Sequence, residues 1–321
     1  MKKVYLLVLL FTWSLVGFGQ QEGQFTQFMN YKLGLNPAYA GSAGGIEMAG
    51  LVRSQWMGIE GSPQTQLLTF SMPMVNNRVG IGANIVRQSI GVTQQYTLET
   101  AYAYRIPVPR GFLGVGLQAS VRMLRVDFNQ LSGTQPIEQD GAVPANVQSK
   151  LVPNFGAGLY YNGENFYVGV SVPRLLKSNI DLSDGDGTIS REFQHFYIMG
   201  GSRFDVGSND IQLEPQLLIK WLEGAPLDMD INVTSHFGSA FRLGVSYRLG
   251  GSTRGGFGES ASLLMGTEIA EKLDIGFAYD LTLSQLRDFN SGSMEVVVRY
   301  FLQKEAKEVD KPNVDEPRFF Y

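Results

Sequence analysis

The chain carries two histidines, His195 and His236, and no cysteine. The side chains that most often act as general base or metal ligand near neutral pH are therefore few. Hydrolysis by a nucleophile needs a Ser or Cys beside a base that a third group orients, and no local arrangement of that kind is present. Asp184-Gly185-Asp186-Gly187 has the alternating oxygen ligands and turn glycine of the middle of a calcium loop. Its first ligand position would be Leu182 and its twelfth Phe193, so it reads as an Asp/Gly turn. The larger group is a set of charges on one face of alternating segments: Glu99, Arg105, Arg122, Glu214, Lys220, Asp228, Asp230, Arg242, Arg248, Asp274, Asp280, Glu295 and Arg299. Such a set can line a pore that passes small solutes, or it can neutralise itself and fill a polar interior. The mixed signs favour the network, because selective pores use rings of one sign. These residues imply no catalytic site, no cofactor and no metal.

Strands must position those charges, because they alternate with apolar residues at period two. From Leu273 to Leu281 the odd positions are Leu273, Ile275, Phe277, Tyr279 and Leu281, and the even ones Asp274, Gly276, Ala278 and Asp280. Leu227, Met229, Ile231 and Val233 stand likewise against Asp228, Asp230, Asn232 and Thr234, and Phe241, Leu243, Val245 and Tyr247 against Arg242, Gly244, Ser246 and Arg248. The composition, 44% hydrophobic and 17% charged with 38 Gly, suits strands and turns. A net charge of −4 offers no electrostatic footprint for nucleic acid.

The alternation predicts an all-β fold, a transmembrane antiparallel β-barrel of about 14 strands, placed roughly at 46–53, 64–73, 79–88, 93–105, 111–125, 152–161, 164–173, 192–206, 210–221, 226–237, 239–250, 260–270, 272–281 and 292–302. Most approach the roughly 9–11 residues of a tilted membrane-crossing strand. Every second connection is short, as in bacterial barrels with periplasmic turns and longer outer loops. On that pattern 126–150 and 176–190 are expected outside. Aromatic residues gather at strand ends, among them Tyr102, Tyr104, Phe166, Trp221, Phe237 and Tyr300, where interfacial girdles belong. A soluble barrel of this many strands would enclose a lumen too wide for side chains to fill.

Residues 1–19 read as a signal peptide, with Lys2 and Lys3 before an apolar run and a small-x-small site at Gly17-Phe18-Gly19. The expected mature chain begins at Gln20, in the outer membrane of a Gram-negative bacterium. Residues 20–45 form an N-terminal periplasmic segment, either a plug or docking element or a lead-in packed under the barrel, and 46–302 form the barrel. Residues 303–321 form a periplasmic tail in which Pro312 and Pro317 oppose a further strand. The tail ends in Arg318-Phe319-Phe320-Tyr321, a contact group or an aid to assembly.

Several segments together resemble the PorP/SprF family of outer-membrane proteins of the type IX secretion system and gliding motility. They are Gln27-Phe28-Met29-Asn30-Tyr31, Leu35-Asn36-Pro37-Ala38-Tyr39-Ala40-Gly41, Arg53-Ser54-Gln55-Trp56, Gly169 to Leu176, Leu213-Glu214-Pro215 and Leu243 to Arg248. The resemblance implies a component that supports secretion or surface attachment of large adhesin-like proteins. It also implies a periplasmic peptidoglycan-linked or secretion-system partner. Candidate partner-binding residues are Asn36, Pro37, Tyr39, Gln55, Trp56, Arg318, Phe319, Phe320 and Tyr321. The rival reading is a passive outer-membrane diffusion channel.

Overall fold

The computed structural model describes residues 23–130, 147–180, 192–207, 211–238, 241–250, 258–270 and 272–304. The expected signal peptide, nearly all of the tail with Arg318 to Tyr321, and the Asp184 to Gly187 turn lie outside them.

The strands are β1 (Gly45–Ser54), β2 (Gln64–Met74), β3 (Val79–Ile90), β4 (Thr93–Val108), β5 (Gly111–Asp127), β6 (Val147–Gly163), β7 (Phe166–Val172), β8 (His195–Ser202), β9 (Phe204–Asp205), β10 (Ile211–Leu222), β11 (Asp228–Phe237), β12 (Phe241–Leu249), β13 (Ser260–Ile269), β14 (Leu273–Thr282) and β15 (Ser293–Lys304). Each is antiparallel to its neighbours, and β15 closes the sheet on β1 from Gly45↔Lys304 to Ser54↔Met294. Closure leaves no free edge, the condition a sheet must meet in lipid. β9 is a two-residue continuation of β8 past Arg203 and pairs only with β10, so the wall is a closed barrel of 14 strands, as the periodicity predicts.

Boundaries differ where side chains have uses other than alternation. The expected strand 192–206 starts at His195, because Glu192 turns into the lumen to Arg122 at 2.6 Å. β6 begins at Val147 rather than 152, since Val147 to Lys150 extend the pairing with Asp127 to Leu124. Turns of two to five residues join strands at one end of the barrel, and the other end carries 55–63, 128–146, 173–194, 250–259 and 283–292. These are called the short-turn and long-loop ends. The β3–β4 connection, 91–92, and the β10–β11 connection, 223–227, are short exceptions at the long-loop end.

The wall is inverted relative to a water-soluble barrel. On β5, Val115, Leu117, Val121 and Met123 are exposed, whereas Gln118, Ser120 and Arg122 are buried. On β4, Leu98, Tyr102 and Tyr104 face out and Glu99 and Arg105 face in. Leaving one large apolar side chain in water forfeits about 1.5–3 kcal/mol. A belt of them around 14 strands would exceed the roughly 5–15 kcal/mol net stability of a domain, so the outer face requires lipid. Aromatic pairs mark both rims: Phe196–Trp221 at the long-loop end, and Phe237–Phe241 and Tyr161–Phe166 at the short-turn end.

Candidate functional site

The segment before β1 is inside the barrel, not beneath it. Gly23 packs on Gln88 and Gln24 reaches Asp228 and Glu259, all near the long-loop end. The chain then descends through three short helical turns, Phe28–Asn30, Lys32–Leu35 and Pro37–Tyr39, and reaches the short-turn end where Ala40 packs on Gly80. Glycines on the inner face of the wall make the close approach possible. A Cβ on Gly114 would lie 2.6 Å from the Ala38 carbonyl oxygen, one on Gly116 would fall on the Ala38 backbone, and one on Gly82 would lie 2.8 Å from Leu33.

Inside the barrel the segment builds a hydrophobic core. Phe25, Phe28, Tyr31, Leu35 and Ala38 cluster with Leu51, Leu67, Val86, Tyr160, Tyr167 and Leu218 of the wall. Polar contacts fix its register. Thr26 Oγ1 donates to Asp280 at 2.7 Å, and the Thr26 and Gln27 amides donate to Glu295 at 3.0 and 2.8 Å. Arg53 binds the same two carboxylates, at 2.7 Å to Asp280 and 3.1 Å to Glu295. Four groups from β1, β14, β15 and the segment thus satisfy one another out of water, which a buried ion pair needs to offset desolvation. Asn36, fully buried, donates from Nδ2 to Leu159 O at 2.9 Å and accepts from Ala38 N at 2.9 Å.

The eleven candidate lumen residues Arg122, Glu214, Lys220, Asp228, Asp230, Arg242, Arg248, Asp274, Asp280, Glu295 and Arg299 point inward, and each has a counter-ion. Arg248–Asp230 is 2.5 Å, Lys220–Asp230 2.8 Å, Lys220–Asp228 3.2 Å and Arg242–Asp274 2.5 Å; Arg299 also binds Asp274. Glu214 takes His236 at 2.8 Å and Arg203 at 2.6 Å. The signs are interleaved, with no ring of one charge among the described residues.

Asn36, Pro37 and Tyr39, expected to meet a partner, face the wall instead. Pro37 starts the turn that seats Ala38, and the Tyr39 hydroxyl donates to Glu47 at 3.1 Å. Gln55 and Trp56 are half-buried at the long-loop mouth, where the Trp56 amide donates to Ser293 at 3.1 Å. Glu47, Arg53, Arg174 and Glu192 belong to the lumen network but were not among the expected residues. The parity of β1 carried the signal for Glu47 and Arg53; Arg174 and Glu192 come from a loop, where parity is silent. His195 starts β8 at the long-loop end, and His236 ends β11 at the short-turn end. They do not meet.

A protein-family model described as "Type IX secretion system membrane protein PorP/SprF" matches residues 17–300. Among solved structures, the CymD monoaromatic hydrocarbon channel aligns over 86% of this chain and 94% of its own, with TM-score 0.51 and 12% identity. The Acinetobacter baumannii outer membrane protein Omp33 aligns over 81% and 99%, with TM-score 0.47 and 6% identity. At such identities the likeness concerns the barrel fold alone. No curated protein sequence matches the chain.

Proposed function

The chain belongs to the PorP/SprF family of type IX secretion system membrane proteins, and from that premise we propose that it is an outer-membrane docking and anchoring component of the pathway rather than a conduit. One observation carries the reading: residues 23–44 fill the lumen and are held there by a hydrophobic core and by the Arg53, Asp280 and Glu295 cluster. A passive diffusion channel needs a continuous aqueous path, and here the path is occupied by packed side chains. Catalysis has no support either, since the two histidines stand at opposite ends of the barrel. With the lumen filled, the surfaces left for partners are the two mouths.

On this reading the short-turn end faces the periplasm, and export removes residues 1–19 before Gln20. A secreted adhesin-like protein is held at the long-loop mouth by 128–146 and 173–194, with Gln55 and Trp56 beside it. Loops on a rigid scaffold are where binding usually resides. A periplasmic peptidoglycan-linked or secretion-system protein meets the short turns and the tail through Arg318, Phe319, Phe320 and Tyr321. Service in gliding motility would follow from the adhesin held.

Orientation is checked with single cysteines in a chain that has none. Glu60→Cys, exposed in the 55–63 loop, is expected to react with an impermeant maleimide on intact cells, and Asn76→Cys, exposed in the 75–78 turn, only after the outer membrane is opened. The reverse labelling pattern would invert the assignment of the two mouths. The partner site is checked by replacing 128–146 and 176–191 with short Gly/Ser turns. Heat-modifiable migration is expected to persist while the secreted partner is released into the medium. Full surface retention in both variants would remove these loops from the binding site.

A further inference from the structure

Between the lumen segment and the wall lies a cavity of about 140 Å³ at the short-turn end, bordered by Lys32 of the segment and by Arg203, Glu214, His236, Arg242 and Arg299 of the wall. Its charges do not balance locally. Arg203 is paired with Glu214, Arg242 and Arg299 with Asp274, and Arg299 also approaches Glu47 at 3.7 Å. These three carboxylates answer the three guanidinium groups. Lys32 is left as the cavity's ammonium with no carboxylate in ion-pair range among the described residues. Its Nζ sits 3.6 Å from the Tyr167 ring centroid and 5.8 Å from that of Tyr39. Aromatic faces offset part of the desolvation of a cation, but they supply no lone pairs for its three N–H donors.

We propose that this cavity is a carboxylate-binding site, built jointly by the lumen segment and the wall, for a peptide carboxylate presented at the short-turn mouth. Lys32, left without a carboxylate in range, is a positive charge at the cavity wall that a monoanion would meet. A phosphate monoester, carrying −1.5 to −2 at neutral pH, would leave negative charge uncompensated. The cavity has room for several waters or for a carboxylate on a short stem. Arg203, with a half-exposed side chain, stands at the entrance where it can meet the arriving anion first. The site goes beyond the docking role and does not depend on which way the barrel is oriented.

The full-length protein in detergent is titrated with three fluorescent pentapeptides. One has a free C-terminal carboxylate and no acidic side chain; the second is its C-terminal amide; the third is the amide carrying one Glu. The free acid is expected to bind at least about tenfold more tightly than the neutral amide, the scale of one charge-assisted hydrogen bond or more. Binding of the third peptide would identify an acidic side chain as the source of the group, and its failure the chain end. Lys32→Met is expected to abolish the preference while heat-modifiable migration is retained, and Lys177→Met, an exposed lysine far from the cavity, is expected to keep it. Lys32→Arg, which retains the cation, separates loss of charge from loss of packing and is expected to restore the preference. Equal binding of acid and neutral amide, no binding by either carboxylate peptide, or an unchanged preference in Lys32→Met would each overturn the proposal.

Discussion

Deletion of residues 24–42 is expected to turn a silent barrel into a conducting one. In planar bilayers the intact protein should give no resolved openings, because its lumen holds a packed core. Phe25, Phe28, Leu33 and Leu35 are all buried. At about 1.5–3 kcal/mol for each large apolar side chain, they contribute roughly 6–12 kcal/mol to seating the segment. That figure is an upper bound, since a released segment would still bury part of this surface. Half of it, about 5 kcal/mol, already keeps the open form near one part in several thousand. Gly116→Leu is expected to act in the same direction without removing any chain. Its side chain would occupy the place of the Ala38 backbone, so either the turn at Pro37–Tyr39 or the wall must yield, and the turn has fewer hydrogen bonds to lose. Steady conductance from the intact protein would contradict the filled lumen and revive the diffusion channel.

Arg53→Met is expected to be the most destabilising single substitution in the lumen. Arg53 is 3% exposed and lies between Asp280 and Glu295, which are equally buried. Removing the guanidinium leaves two carboxylates without their cation, a change that typically costs about 3–5 kcal/mol. It also frees Thr26, whose hydroxyl accepts from Arg53 at 3.1 Å, so the lumen segment should loosen at its long-loop end. The check is the temperature at which heat-modifiable migration shifts to the unfolded position, measured beside conductance. A triple change, Arg53→Met with the isosteric Asp280→Asn and Glu295→Gln, removes both carboxylate charges along with the cation and should recover most of the loss. If Arg53→Met alone shifts nothing, the cluster does not hold the segment.

The barrel was legible because its signal is local. Leu273 to Leu281 declares both faces of β14 without knowledge of any neighbour, and the same parity assigns Asp274 and Asp280 to the lumen. The path of residues 23–44 was not legible, because a segment without periodicity gives no indication of where it packs. Its traces were present in the wall. Gly80, Gly82, Gly114 and Gly116 stand on the inner face where a side chain would be expected, and Leu51, Leu67, Val86 and Val297 are apolar where the lumen should be polar. An inward face that is both glycine-rich and greasy on β15 and β1 to β5 requires an apolar occupant. Asn36, Pro37 and Tyr39 stand out in the sequence as a motif, and their geometry ties them to that occupant: they seat Ala38 against Gly114 and Gly116. Charges contributed by the 173–194 loop, Arg174 and Glu192, have no signature in the sequence because only a folded loop brings them to Glu99 and Arg122.

Affinity purification of the protein from outer membranes of its native cells, with quantitative identification of what remains bound, tests the docking role most directly. A large secreted surface protein and a periplasmic secretion-system component are expected in amounts comparable to the barrel, with the first lost when the long loops are replaced and the second when residues 303–321 are removed. A barrel that purifies alone, from cells whose secreted proteins are exported and retained normally in its absence, would contradict it.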